Sequence, residues 1–303
     1  MGTGRGATGP SKKDRREAAR EHARLLREEE RKRAKRRKFW VQGGVGVGIL
    51  AVLAVVALVI VNAVQPEGPG PKNMLSNGIV LTSTTDVAKT AALGSGQPPV
   101  ATKQTSGDSV AHITVYVDYQ CPYCKQFETT NAEQIGQWLD SGFATLEVHP
   151  IAMLDSSSSG TKYSTRSANA AACVANSKPS AFFAVNSALF ENQPAEGGTG
   201  LTDKKILSIM KDAGASSSAL TRCVNDLTFG DWVASATNRA LSKPLPNSNL
   251  KKITGTPTVI VNGQQYNGAL DNASTFLSFV SGIMSSGSSD SGSTATPTPT
   301  PTQ

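Results

Sequence analysis

Ile113-Thr114-Val115-Tyr116-Val117-Asp118-Tyr119-Gln120-Cys121-Pro122-Tyr123-Cys124-Lys125-Gln126-Phe127-Glu128 is the stretch whose reading decides the fold. Its first five residues are β-branched or aromatic and bounded by polar ones, which predicts a buried strand. Pro122 suits the first turn of a helix. Phe127, Ile135, Trp138 and Leu139 then recur at near-helical spacing. A strand that enters a helix through Cys-x-x-Cys places two thiols at a helix N-terminus, where unpaired N–H groups and the helix dipole favour a thiolate. Cys121 stands where that field is strongest and is the expected nucleophile. Cys124, one turn further in, is the expected resolving thiol of a disulfide-exchange cycle. A Cys-x-x-Cys pair can also be half of a zinc site, but that needs two more ligands. Cys173 and Cys223 stand apart, and His22, His112 and His149 are scattered, so neither a metal nor a cofactor is expected.

A second signal lies far downstream. Lys251-Lys252-Ile253-Thr254-Gly255-Thr256-Pro257-Thr258-Val259-Ile260-Val261-Asn262-Gly263 reads as a loop, a short strand and an Asn-Gly turn. Alone, Thr256-Pro257 is a strand entry, where proline is tolerated. Taken with the Cys-x-x-Cys pair, Gly-Thr-Pro-Thr before a β run resembles the cis-proline loop of the thioredoxin superfamily. The segment from Asp118 to Glu128 is similar to the active-site segment of the DsbA-like oxidoreductases, especially the membrane-anchored forms of Gram-positive, actinobacterial type. That resemblance runs from about Gly107 to about Ser285. It implies a thioredoxin-like α/β fold with a helical insertion at about 160–245, and a cis Thr256–Pro257 bond beside Cys121. Thr256, Pro257 and the exposed Tyr123 would then meet an extended substrate peptide, added as a strand. One departure from the family pattern is the Pro-Tyr dipeptide, where the best-known strong oxidants carry Pro-His. Pro122 therefore belongs with the residues that tune the redox poise. Asp118 reads either as a turn former or as a buried acid near Cys124. Glu128 reads either as a solvated helix acid or as a neighbour of the thiols, one turn beyond Cys124.

Charge divides the chain. Residues 1–38 carry fifteen Lys or Arg against six acids, a net +9, whereas the whole chain is +7. The folded part is therefore slightly acidic, which argues against a nucleic-acid role for it. Ser11 to Lys38 has a helix-forming composition with Ser11 as a cap. From Gly43 to Val61 no residue is charged, and these 19 residues suffice to span a bilayer core as a helix. The span is read as 41–64, with Phe39 and Trp40 at its edge. The basic cluster just before it predicts a cytoplasmic N-terminus and an extracytoplasmic catalytic domain at the cell membrane. The length of the apolar run and of the basic segment favours a retained anchor over a cleaved signal peptide.

Residues 65–106, rich in Gly, Pro, Ser and Thr, read as an extracytoplasmic linker with one strand-like run at Gly78–Thr82, a candidate edge strand. The domain is assigned to 107–285. Residues 286–303, Ser/Gly followed by Thr-Pro repeats, read as a disordered tail. Outside the cytoplasm disulfides persist, so Cys173 and Cys223, each in a helix-like segment, are expected to form a second, structural disulfide. The expected function is oxidation of exported thiol-containing polypeptides, with recycling by a quinone-linked membrane oxidase of the VKOR or DsbB type, as the resemblance implies. The alternatives are a membrane-anchored reductase or isomerase, and a non-catalytic peptide-binding or holdase module with a structural Cys121–Cys124 bond.

Overall fold

The computed structural model of the chain describes residues 68–104 and 109–287, together with the single residue Lys32. The segments read as a basic N-terminal region (1–38), a membrane span (41–64) and, from residue 288 on, a tail lie outside these residues, Lys32 excepted. No helix among the described residues is long and apolar enough to cross a membrane.

The strand expected before the two cysteines forms as β2 (Ala111–Val117), and its Ile113, Val115 and Val117 are buried. It leads through Cys121 into α1 (Pro122–Asp140), which returns to β3 (Ala144–Pro150). Along α1 the buried residues Cys124, Phe127, Asn131, Ile135 and Leu139 recur every three or four positions, so one stripe faces the sheet. β2 and β3 pair in parallel, with Ile113 opposite Leu146 and Val117 opposite Pro150. Parallel pairing needs a crossover, and α1 supplies it.

The chain next enters a helical insertion: α2 (Tyr163–Ser177), α3 (Phe182–Glu191), α4 (Asp203–Asp212), α5 (Ser218–Asn225) and α6 (Gly230–Ser242). It returns to the sheet as β4 (Thr258–Val261), antiparallel to β2, and β5 (Gln264–Gln265), antiparallel to β4. The turn between them is Asn262-Gly263, with φ of 45° and 83°. Both positive values suit a type I′ hairpin, which is why Asn-Gly stands there. Finally α7 (Ala273–Gly287) packs beside α1, where Phe276 meets Phe127 edge to face with centroids 5.2 Å apart. The architecture is a thioredoxin-like α/β sheet carrying a helical insertion.

The sheet order is β1-β3-β2-β4-β5, and its first member corrects the reading of 65–106 as a linker. β1 (Ile79–Leu81) pairs antiparallel with β3 and covers what would be an open edge. Met74, Ile79, Leu81 and Leu93 are buried in the domain. Asn73 donates from Nδ2 to the Ala175 carbonyl at 2.8 Å, and Asn247 likewise to Thr102. Polar and glycine-rich composition hid the few apolar residues that fix 68–104 to the domain.

Cys173 of α2 and Cys223 of α5 are joined by a disulfide that closes a loop of 50 residues. In the chain-entropy picture such a loop stabilises by about 3–4 kcal/mol. The double variant Cys173→Ala/Cys223→Ala is expected to lose about that much in denaturant unfolding. An unchanged midpoint would mean that the helices hold the insertion without the bond.

Candidate active site

The site is assembled where β2 ends. Cys121 is the N-cap of α1, with extended backbone (φ −76°, ψ 118°), and Pro122 opens the helix. Its N–H donates to the Asp118 carbonyl at 3.0 Å, which closes a tight turn. Its own carbonyl accepts from Lys125 N at 3.2 Å and from Gln193 Nε2 at 2.9 Å. Gln193 Nε2 also donates to the Tyr119 carbonyl at 2.9 Å. One carboxamide just beyond α3 thus fixes the two residues that flank Gln120.

The antiparallel register of β2 and β4 sets Tyr116 opposite Thr258. Continued by two residues, it brings Thr256 alongside the active-site turn. The Thr256–Pro257 bond is cis. Cys121 Sγ lies 3.2 Å from the Thr256 carbonyl oxygen, so the two distant motifs meet at the nucleophilic sulfur. Cys121 and Cys124 are both free thiols, which makes this the reduced state. Tyr123 stands at the rim, 64% exposed.

The two thiols have opposite environments. The Cys121 pKa is lowered from 9.0 to about 6. The largest cause is the hydrogen bond from the Cys124 thiol, which outweighs the opposing effect of burial. A side-chain bond from Thr256 and the backbone N–H groups of Cys124 and Tyr123 add to it. These N–H groups are the unpaired donors of a helix start. Burial pushes the Cys124 thiol well up, and its bond to Cys121 raises it further. Cys121 is 5% exposed and Cys124 1%, so an incoming group reaches Cys121 first.

The expected tuning acids are both buried. Asp118 accepts four hydrogen bonds: from Gln120 N (2.9 Å) and Ser164 Oγ (2.7 Å) on Oδ1, and from Met153 N (2.8 Å) and Leu154 N (2.9 Å) on Oδ2. Burial raises its pKa, and those bonds work against the rise. Its carboxylate therefore ties the active-site turn to the loop after β3 and to α2, while a backbone hydrogen bond from Asp118 reaches Cys124. Glu128 is not a solvated helix acid. Its Oε1 accepts from Asn186 Nδ2 (2.8 Å) and Ser187 Oγ (2.9 Å) of α3, and burial raises its pKa. Tyr119 Oη donates to Asn186 Oδ1 at 2.9 Å, which links Glu128 to the turn. Gln193, Asn186 and Ser164 escaped the sequence reading because they lie 40 or more residues from the cysteines, inside the insertion, with no local motif. His112 and His149 lie within β2 and β3. Among the described residues no three His, Cys, Asp or Glu side chains group to hold a metal.

A family model described as Thioredoxin matches residues 102–280. None of the curated proteins matches the sequence. Among solved structures, reduced DsbA from Mycobacterium tuberculosis is 24% identical with a TM-score of 0.50, covering 70% of this chain and 98% of its own. The disulfide bond oxidoreductase DsbG of the same organism is 25% identical, also with a TM-score of 0.50, covering 71% and 94%. MdbA, a thiol-disulfide oxidoreductase from Actinomyces oris, is 20% identical with a TM-score of 0.52, covering 73% and 94%.

Asp118→Asn is expected to destabilise the reduced chain by about 2–3 kcal/mol, because an amide NH₂ in place of either oxygen faces two donors and leaves them unpaired. Denaturant unfolding of the variant measures this. A variant as stable as its parent would show that those four bonds only balance the cost of the buried charge.

Proposed function

The chain belongs to the thioredoxin family, as a DsbA-like thiol–disulfide oxidoreductase, and we propose that it oxidises the thiols of exported polypeptides at the outer face of the cell membrane. The observation that carries the oxidising direction is the split between its two sulfurs, with Cys121 lowered to about 6 and Cys124 raised. A stabilised thiolate belongs to the reduced enzyme, so lowering it favours acceptance of electrons from a client. At neutral pH the fall from 9.0 to about 6 favours the reduced state by about 1.4 kcal/mol, or about 30 mV for two electrons.

In the oxidised enzyme a client thiolate attacks Cys121 Sγ. The Cys121–Cys124 bond breaks and Cys124 leaves, taking up a proton as its raised pKa requires. A second client thiol, losing its proton, attacks the client sulfur of the mixed disulfide. The client disulfide forms and Cys121 departs as the thiolate. Two electrons have then passed to the enzyme, one proton rests on Cys124, and the other is released to solvent. The low pKa of Cys121 makes it a good leaving group in this last step. The cis Thr256–Pro257 loop beside Cys121 and the exposed ring of Tyr123 form the surface on which an extended client strand would lie.

The placement rests on sequence. The uncharged run Gly43–Val61 behind a basic segment fits a single-pass anchor with the N-terminus in the cytoplasm and the catalytic domain outside. The Cys173–Cys223 disulfide suits an oxidising compartment. An oxidant there needs reoxidation, and a membrane oxidase of the VKOR or DsbB type, passing electrons to quinone, has the required chemistry.

Equilibration of the purified chain with glutathione buffers, with Cys121→Ser as control, tests the direction. The expected potential lies above the value of about −270 mV known for thioredoxin, toward the value of about −120 mV known for DsbA. A potential at or below thioredoxin's would overturn the oxidant reading. Fast exchange at that potential would mark a reductase, and an inert bond a structural module.

A further inference from the structure

Tyr116 and His149 belong to adjacent strands, and their rings stack with centroids 4.3 Å apart. They form one wall of a cavity of about 240 Å³ that takes no part in the dithiol chemistry. α6 supplies Ala236, Arg239 and Ala240, and the loop after it supplies Lys243 and Leu245. The segment corrected above from linker to domain closes the other side with Asn77, Pro98 and Pro99.

The lining is mostly apolar, yet it carries buried polar atoms that lack partners. Among the described residues, Asn77 Oδ1 and Arg239 Nε have no hydrogen-bond partner, whereas His149 Nε2 faces Glu147 Oε1 at 3.3 Å. Asn77 is 7% exposed, so its oxygen is closed off from bulk water. Unpaired buried polar atoms are rare in native structures, because each loses its water without gaining a partner. Their gathering around one cavity suggests that a bound molecule meets them.

Charge sets the sign of that molecule. Arg239 makes no ion pair with any carboxylate among the described residues. Lys243 stands exposed at the mouth. Among the described residues no Asp or Glu lines the cavity, and the Oε1 of Glu147, which meets His149 of its wall, is already held by Ser76 Oγ, by Thr102 Oγ1 at 2.8 Å and by His149 Nε2 at 3.3 Å. The free N–H of Arg239 needs an acceptor. The Asn77 carboxamide can present its NH₂ in place of its oxygen, since the two orientations are interchangeable in shape. Size is limited too. A cavity of roughly 150 Å³ accepts benzene in another protein, so this one suits a single ring with a short side chain.

We propose that this cavity binds a small organic anion, an apolar body of single-ring size ending in a carboxylate that Arg239 receives. The site is independent of the dithiol and of the direction in which the dithiol runs.

The test is calorimetric titration of the full-length chain with phenylacetate, with phenylacetamide as its uncharged counterpart. Saturable binding of phenylacetate is expected. Loss of one charged hydrogen-bond partner should weaken it about tenfold or more, both for phenylacetamide and in Arg239→Gln. Ala240→Leu, which fills the cavity, should abolish binding. Exchange with glutathione should be unchanged in both variants, and thermal unfolding confirms that each is folded. Should Ala240→Leu fail to fold, Arg239→Gln and the amide still decide the matter. No saturable binding of phenylacetate up to about 10 mM, the weak end of ligand affinities, would mean that the cavity holds only water and would overturn the proposal. Equal binding in Arg239→Gln, or of the amide, would overturn it as well.

Discussion

The sulfur of Cys121 lies 3.2 Å from the carbonyl oxygen of Thr256, 135 residues away in sequence, and the site depends on that contact. It exists because β2 and β4 are neighbours in fixed antiparallel register. A slip of one residue would turn every side chain of β4 to the opposite face and carry the cis Thr256–Pro257 loop away from the thiols. All four residues of β4 are buried, so the register is set by apolar burial on both faces. The sheet core is thus also the jig that holds the two catalytic motifs together.

Within that frame the chemistry depends on an asymmetry over one helical turn. Cys121 is the N-cap residue of α1, where the N–H groups of Tyr123 and Cys124 help lower its pKa, whereas Cys124 is inside the core. The insertion does more than enlarge the domain. Through Gln193, Asn186 and Ser164 it holds the carbonyls of Tyr119 and Cys121, the Glu128 carboxyl and the Asp118 carboxyl. The Cys173–Cys223 bond joins two helices of this insertion and so stiffens the support of the turn. Preorganisation of this kind keeps the thiolate's donors in place without a cost at the moment of exchange.

The strand, the Cys-x-x-Cys helix start and the Asn-Gly hairpin were legible in sequence because each has a local signature: β-branched runs, Pro at the first helical position with apolar spacing after it, and a turn dipeptide; the helical insertion followed from the resemblance to the DsbA-like oxidoreductases. The supporting side chains were not. Gln193 or Asn186 becomes significant only when α3 packs against α1, and no pattern in the insertion announces that packing. Glu128 shows the same limit. Sequence left it either a solvated acid or a neighbour of the thiols, and only the packing of Asn186 and Ser187 over it removes the first reading. Residues 68–104 were misread for a related reason. Only the strand-like run at Gly78–Thr82, which forms β1, gave a local signal; Met74 and Leu93 stand apart among glycines, prolines and serines, yet they too are buried.

The central claim is that the fold, rather than the cysteine pair alone, makes Cys121 a thiolate at neutral pH. A lowered pKa in the folded, reduced chain contributes stability that is fully present above the unfolded value of about 8.5 and is lost as pH falls through about 6. The most direct test is the thiolate absorbance of the reduced chain, titrated with acid and base, against Cys121→Ser. The account predicts one transition near pH 6 that vanishes in the variant, with Cys124 ionising only well above 9.0. A first transition near 9.0 would contradict it, since Cys121 would then be an ordinary thiol despite its place at the helix start.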